Sequence, residues 1–243
     1  MRLPPNLPFS PKETAQLISD LKGHGERIRS FQGVGTIRLK KGDRLSDLNL
    51  FAVGRKPFKV RLEITHPWGR PLSHIVVDEE NISVLSLTDN KFLTGPASPL
   101  NREKLLLFGL DLDSAWKILS GCVPILPHHS AVSLKPDEIA LYNKKGEVAE
   151  VISFFHDPLL PRSVSLPGKR ITILLSAFEE GDLGPYPSRI RVRKGGARCA
   201  VELRYKRLRL NRPVPEEIFQ LKPPPGFEII PLDHYGGWPL SDS

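Results

Sequence analysis

The side chains that could do chemistry are few, and their spacing argues against catalysis. His66 and His74 flank the turn Pro67-Trp68-Gly69, but no nearby carboxylate has the spacing of a zinc site. His128 and His129 are adjacent in a proline-flanked loop, with no spaced third ligand. Asp111 and Asp113 open an apolar stretch, where acids serve a helix N-terminus. Cys122 and Cys199 are far apart and lack CxxC spacing, which argues against a metal site. Two readings of them stand: a disulfide in an oxidising compartment, or two unpaired buried thiols. No GxSxG elbow, phosphate-binding loop or GxGxxG turn occurs. The expectation is therefore no catalytic residue, no metal and no cofactor: a binding protein, not an enzyme.

The chain has 243 residues, 40% of them hydrophobic and 26% charged, which suffices for a packed core. No run of about 18 apolar residues occurs, so no transmembrane helix is expected. Met1-Arg2-Leu3-Pro4-Pro5 leads into prolines with no apolar signal region. The formal net charge of +8 favours anionic partners (nucleic acid, phosphate or a lipid surface) or simply keeps the chain soluble.

Hydropathy patterning shows which elements must position these residues. Pro4, Pro5, Pro8 and Pro11 make residues 1–10 a stiff lead-in. Ser10, Pro11 and Glu13 read as a capping box with proline in the first turn. Leu17, Ile18, Leu21 and Ile28 follow at helical spacing. From Phe31 the period changes to two. Leu48, Leu50 and Ala52, then Val60, Leu62 and Ile64, alternate with polar residues, as in strands with one buried and one wet face. Turn signals divide residues 31–95 into about six strands in meander order. Ser98–Asn101 opens a helical stretch with Leu105, Leu106, Leu107 and Leu110, and Asp111–Ser114 opens another with Trp116, Ile118 and Leu119. Both are apolar on more than one face, so they must cover something apolar. After about residue 130 strands resume: Ile139–Leu141, Val148–Phe155, Ser163–Leu166, Ile171–Leu175, Ile190–Val192 and Cys199–Leu210. In the last of these, Cys199, Val201, Leu203 and Tyr205 share one parity, while Leu208 and Leu210 share the other. A bulge near Lys206-Arg207 would reconcile them. The tail from Pro223 reads as mostly irregular. With no repeat or linker, one domain is expected over residues 1–243, with a lead-in 1–10 and an irregular tail 233–243.

The order of these elements resembles the LolA/LolB family of bacterial lipoprotein carriers, and LolB in particular. The residues that carry the resemblance are Ile64-Thr65-His66-Pro67-Trp68-Gly69-Arg70-Pro71-Leu72, Val77-Asp78-Glu79-Glu80-Asn81-Ile82 and Phe92-Leu93-Thr94-Gly95. The Leu112–Leu119 run closing in Ser120-Gly121-Cys122-Val123-Pro124 completes the set, so residues 15–125 are covered. The resemblance implies a mainly β fold with a few helices, an incomplete antiparallel β-barrel under a helical lid. It implies a carrier or chaperone on the periplasmic side of the outer membrane, lipid-anchored through a segment upstream of this sequence. Such a protein binds lipoprotein acyl chains, receives its cargo from a LolA-like carrier, and helps localise or insert lipoproteins at the outer membrane. Elementary physics agrees. Each buried CH₂ contributes about 0.8 kcal/mol, so an apolar cavity binds lipid with no chemical motif at all.

Inward strand residues Leu50, Val60, Leu62, Ile64, Ile75 and Val84 are then expected to line an acyl-chain cavity, completed by lid residues Leu106, Leu110, Trp116 and Leu119. A one-residue register error would invert any of the strands. LolB-like proteins use an exposed apolar loop residue to deliver cargo into the membrane. Trp68 matches that position, with an aromatic in place of leucine, so Pro67, Trp68 and Leu72 form an expected membrane-contact loop. The other reading folds Trp68 back onto the sheet. Arg55 stands near the arginine that precedes a proline in LolA-like carriers, with Lys56 intervening; the other reading is a solvated turn. Arg189, Arg191, Arg193, Lys194, Arg198, Arg204, Lys206, Arg207 and Arg209 make the last strands basic. Arg191 and Arg204, with Arg55, are candidates to meet lipid headgroups or an acidic patch on a partner, against a merely solvated face. Nucleic acid is not an expected partner, because only Tyr205 interleaves the run. The alternative function is a non-enzymatic envelope interaction module, or a carrier of another lipid, whose basic β face binds a protein partner.

Overall fold

The computed structural model describes residues 7–101, 110–196 and 199–234. Its framework is one 14-stranded sheet. The first meander is β1 (Ser30–Lys41), β2 (Arg44–Arg55), β3 (Lys59–Thr65), β4 (Pro71–Asp78), β5 (Asn81–Ser86) and β6 (Lys91–Pro96). The second is β7 (Ser130–Lys135), β8 (Glu138–Tyr142), β9 (Val148–Phe154), β10 (Pro161–Leu166), β11 (Ile171–Gly181), β12 (Gly184–Lys194) and β13 (Cys199–Leu210). β1 pairs with β13, so the order runs from β6 to β1 and then from β13 to β7. The two ends do not pair with each other, and the sheet stays an open half-barrel.

One more strand, β14 (Glu228–Pro231), adds to the edge of β6 in parallel. It is the one parallel pairing among the named strands of an otherwise antiparallel sheet, and a short ordered piece of a mostly irregular tail. Ile229 and Ile230 sit in register with Phe92 and Leu93, and that pairing covers an otherwise bare edge. Residues 1–6 of the lead-in and 235–243 of the tail lie outside the described residues.

Helix α1 (Pro11–Arg27) begins as its capping box requires: Glu13 N donates to Ser10 Oγ at 3.3 Å, and Ser10 N donates to Glu13 Oε2 at 2.8 Å. Helix α2 (Leu112–Leu119) is capped by Asp111, whose Oδ1 accepts from Ser114 N at 2.8 Å. Residues 99–101 are helical; Leu105, Leu106 and Leu107 lie outside the described residues. The inward residues of both meanders form one core with Ile18 of α1 and Trp116 and Ile118 of α2. The opposite face of β2–β4 carries a smaller cluster. There Val53 and Val76 are covered by Val214 and Phe219 of the chain that follows β13.

The β1–β13 seam is shaped by two glycines. Val34 pairs with Arg207 and Gly35 with Tyr205, so Lys206 is the bulged residue and the expected parity switch occurs there. The Tyr205 ring lies over Gly33, where a Cβ would fall 2.4 Å from it, and at Gly35 a Cβ would meet the Arg204 carbonyl oxygen at 2.0 Å. Tyr205 Oη donates to the Leu119 carbonyl at 2.8 Å, which ties the end of α2 to the seam. Gly35→Ala is therefore expected to cost about 3 kcal/mol, because backbone cannot yield to a new Cβ. Gly23→Ala, in α1 with nothing within 4 Å, should instead gain about 0.5–1 kcal/mol. Urea unfolding midpoints of the two variants check both signs.

Candidate functional site

An apolar pocket of about 290 Å³ opens between α1 and the second meander. Helix α1 contributes Leu17 and Leu21, the chain just past α2 contributes Cys122 and Val123, and β9 and β11 contribute Phe154, Leu175 and Phe178. Local sequence explains the placement. Leu17 and Leu21 are one helical turn apart and share a face. Phe9, ahead of the helix, packs edge-on against Phe154 at 5.6 Å, and its N–H donates to Ser133 Oγ at 3.0 Å. These contacts moor the start of α1 to β9 and β7. His24 lines the same pocket, and burial, helped by Arg27, lowers its pKa and favours the neutral imidazole. Cys122 carries a free thiol that burial pushes up to about 11. It is unbridged, and its burial disfavours the reactive thiolate.

Leu50, Val60, Leu62, Ile64, Ile75 and Val84 all belong to the inward core, where Leu110, Trp116 and Leu119 pack with them; Leu106 lies outside the described residues. None of the described ones lines the pocket. Trp116 packs against the first meander: its ring meets Phe31 at 5.0 Å and Phe58 at 6.1 Å. Gly54 makes the room, since a Cβ there would lie 2.6 Å from the Trp116 ring.

The β3–β4 connection is a tight tip. His66 N donates to Arg70 O and Gly69 N to His66 O, both at 2.8 Å, and Gly69 takes a φ of +85°. Trp68 is 88% exposed and stacks on His66 with ring centroids 6.1 Å apart. The fold-back reading of Trp68 is thus set aside, and Pro67 is exposed beside it. Leu72 is different: it is 6% exposed and part of the core. The register shifts where Thr65 pairs with Pro71 and Ile64 with Ser73, which turns Leu72 inward and removes it from the tip.

The candidate arginines are largely engaged. Arg55 donates to Val214 O at 3.1 Å, pairs with Glu216 and lies 5.8 Å over the Phe219 ring. It clamps the chain's own segment after β13, which leaves this guanidinium less free for a headgroup than a solvated turn would. Arg191 and Arg204 converge on Glu202, which is 4% exposed, with Arg189 at 3.8 Å. Burial raises the Glu202 pKa, but hydrogen bonds from Arg191 and Arg204 outweigh it and hold the carboxyl below its usual range. Arg198 lies outside the described residues.

One inward carboxylate was not singled out by sequence reasoning. Glu150 on β9 is 0% exposed and accepts from Leu126 N through Oε2 at 2.7 Å, while Oε1 has no partner among the described residues. Burial pushes it up to about 7. The signal was present, since Glu150 shares the parity of Ile152 and Phe154. Among the described residues, no group of three or more His, Cys, Asp or Glu is placed to hold a metal, and no helix is long and apolar enough to cross a membrane.

No family model and no curated protein matches the chain. Solved structures do. A DUF1329 family protein from Desulfovibrio piger is similar at 12% identity and TM-score 0.59, over 87% of this chain and 98% of that one. A LolA superfamily protein from Nitrosomonas europaea is similar at 16% identity and TM-score 0.53, over 86% and 98%. A domain assigned to outer membrane lipoprotein sorting in Vibrio parahaemolyticus is similar at 10% identity and TM-score 0.50, over 86% and 97%. At these identities the likeness is one of fold: a LolA-like half-barrel sheet with a helical lid.

Glu150 predicts a pH dependence. The folded chain holds its proton more tightly than the unfolded chain, so ionisation opposes folding. This contribution to stability is full below the ordinary value of 4.5 and is lost as pH rises towards about 7. Glu150→Gln should flatten that slope and melt higher than the parent at about pH 8. Thermal melts at about pH 5 and about pH 8 decide; equal slopes would exclude Glu150 as the source.

Proposed function

We propose that this protein carries acyl chains, with lipoproteins as cargo, and delivers them to a membrane. The pocket beside α1 carries the reading: it is lined mainly by hydrocarbon and sits in a LolA-like fold. Binding there is non-directional and grows with buried area, at about 0.8 kcal/mol per CH₂. At about 290 Å³ the pocket lies at the low end of ligand-site volumes, roughly 300–1,000 Å³. It therefore suits part of one chain. A longer or second chain displaces α2 and spreads over Leu50, Val60, Leu62, Ile64, Ile75 and Val84, the apolar face that Trp116 covers.

Lipoproteins are favoured over other acyl ligands because two of the similar folds are a LolA superfamily protein and a domain assigned to lipoprotein sorting. In this reading the protein acts as LolB does, at the periplasmic face of the outer membrane, taking cargo from a LolA-like carrier. Trp68 supports delivery. Its indole is exposed on a hairpin held by two backbone hydrogen bonds, and indole favours the bilayer interface.

A fluorescent long-chain fatty acid tests the pocket, and transfer of a lipoprotein to vesicles tests the tip. Leu21→Trp fills the pocket and should weaken probe binding about tenfold. Trp68→Glu should leave probe binding intact and slow transfer about tenfold. Parent-like loading of Leu21→Trp would displace the site from this pocket, and parent-like transfer by Trp68→Glu would remove the tip.

A further inference from the structure

The face of the sheet opposite the core is hollowed into a trough of about 920 Å³. It lies where β1, β13, β12 and β11 run side by side. Arg38, Lys40, Arg191 and Arg193 project into it because each has the parity opposite to an inward neighbour such as Ile37, Leu39, Ile190 or Val192. Arg170 and Lys194 close one end. Glu202 is the one acid among these lining residues.

That acid does not neutralise the trough. Glu202 is already engaged by Arg189, Arg191 and Arg204, and its effect is to fix Arg191 in place. Arg38 is held by Asp47. Lys40, Arg170, Arg193 and Lys194 have no carboxylate partner among the described residues. Unneutralised cations gathered in a recess focus a positive potential and favour an anion there.

We infer that this trough binds the phosphate of an anionic lipid headgroup, at a site separate from the acyl-chain pocket. Three observations favour a lipid. Among the described residues no aromatic side chain lines the trough, so none of them stacks a nucleic-acid base there. Leu45, 57% exposed, and Leu174 give it apolar walls, which the glycerol and upper chain of a lipid would cover and an inorganic anion would not. Third, β1, β3 and β12 run in the same direction, so the ends of β1 and β12 at Lys40 and Lys194 lie at the same end of the sheet as the Trp68 hairpin. Indole and cations at one end suit a bilayer surface, where each basic residue adds about 1 kcal/mol of attraction. The inference rests on the reading that this end meets a membrane, and it is independent of what fills the pocket.

Vesicle cosedimentation with the full chain tests it, using phosphatidylcholine alone or phosphatidylcholine with about one third phosphatidylglycerol. The double variant Arg193→Gln, Lys194→Gln should bind the anionic vesicles about 25-fold more weakly than the parent, or about fivefold per cation. It should load the fluorescent fatty acid and melt as the parent does, and the conservative Arg193→Lys variant should keep most of the binding. Parent-like binding by the double variant overturns the inference. So does displacement of the parent from vesicles by inorganic phosphate, or by a glutamate-rich peptide, at concentrations matching the lipid phosphate. The first would identify a free anion as the ligand, and the second an acidic protein. If Trp68→Glu alone lowers binding to both kinds of vesicle and the double variant lowers neither, the tip stands and the trough fails.

Discussion

The pairing of β1 with β13 joins two meanders that would otherwise be separate sheets, and the lid, the pocket and the basic trough all sit on it. Its contacts span most of the sequence: Asn211 Oδ1 accepts from Arg29 N at 2.7 Å across 182 residues. The seam needs close approach, which Gly33 and Gly35 permit by having no side chain in the way of Tyr205 and the Arg204 carbonyl. It also needs the bulge at Lys206, without which Leu208 and Leu210 would face water. Tyr205 then does two things at once. Its ring covers Gly33, and its hydroxyl holds the last turn of α2. The lid is fixed to the sheet at the same place where the sheet is fixed to itself.

A period of two sorts chemistry onto opposite faces of one sheet. Hydrocarbon gathers on the inside and guanidinium groups on the outside, with no segment devoted to either. The two buried carboxylates show how much the surroundings decide. Glu150 and Glu202 are both largely hidden from water, Glu150 the more deeply, yet their acidities move in opposite directions. Glu202 meets three guanidinium groups and keeps its charge, whereas Glu150 meets a single backbone N–H and tends to keep its proton. Glu150, on β9, accepts from Leu126 in the chain between α2 and β7, so that connection is held by a carboxyl whose ionisation burial disfavours.

Much of this fold is written locally and could be read from the sequence. The capping box at Ser10, the acid at Asp111, the six-strand meander and the parity switch near Lys206 all depend on residues close together in the chain. What escaped depends on distant partners. Val53 and Val76 point away from the core yet are buried, because Val214 and Phe219 come back to cover them. Arg55 looked free until Glu216 and the Val214 carbonyl were brought to it. Leu72 lies beside an exposed turn and is turned inward by a one-residue register shift that no pattern announces. The pocket is assembled from α1, the exit of α2 and strands of the second meander, so no single window of sequence contains it.

The two edges of the first meander are covered by strands made much later in the chain. β1 waits for β13, and β6 waits for β14. Between Pro96, which ends β6, and Cys199, which begins β13, about 100 residues must be synthesised, which takes roughly 5–20 s at typical rates of 5–20 residues per second. If the first meander forms during that interval, both of its flanks are open to any passing strand. The same connectivity that leaves the finished barrel open thus asks the first meander to wait for β13 and β14 before its edges are covered.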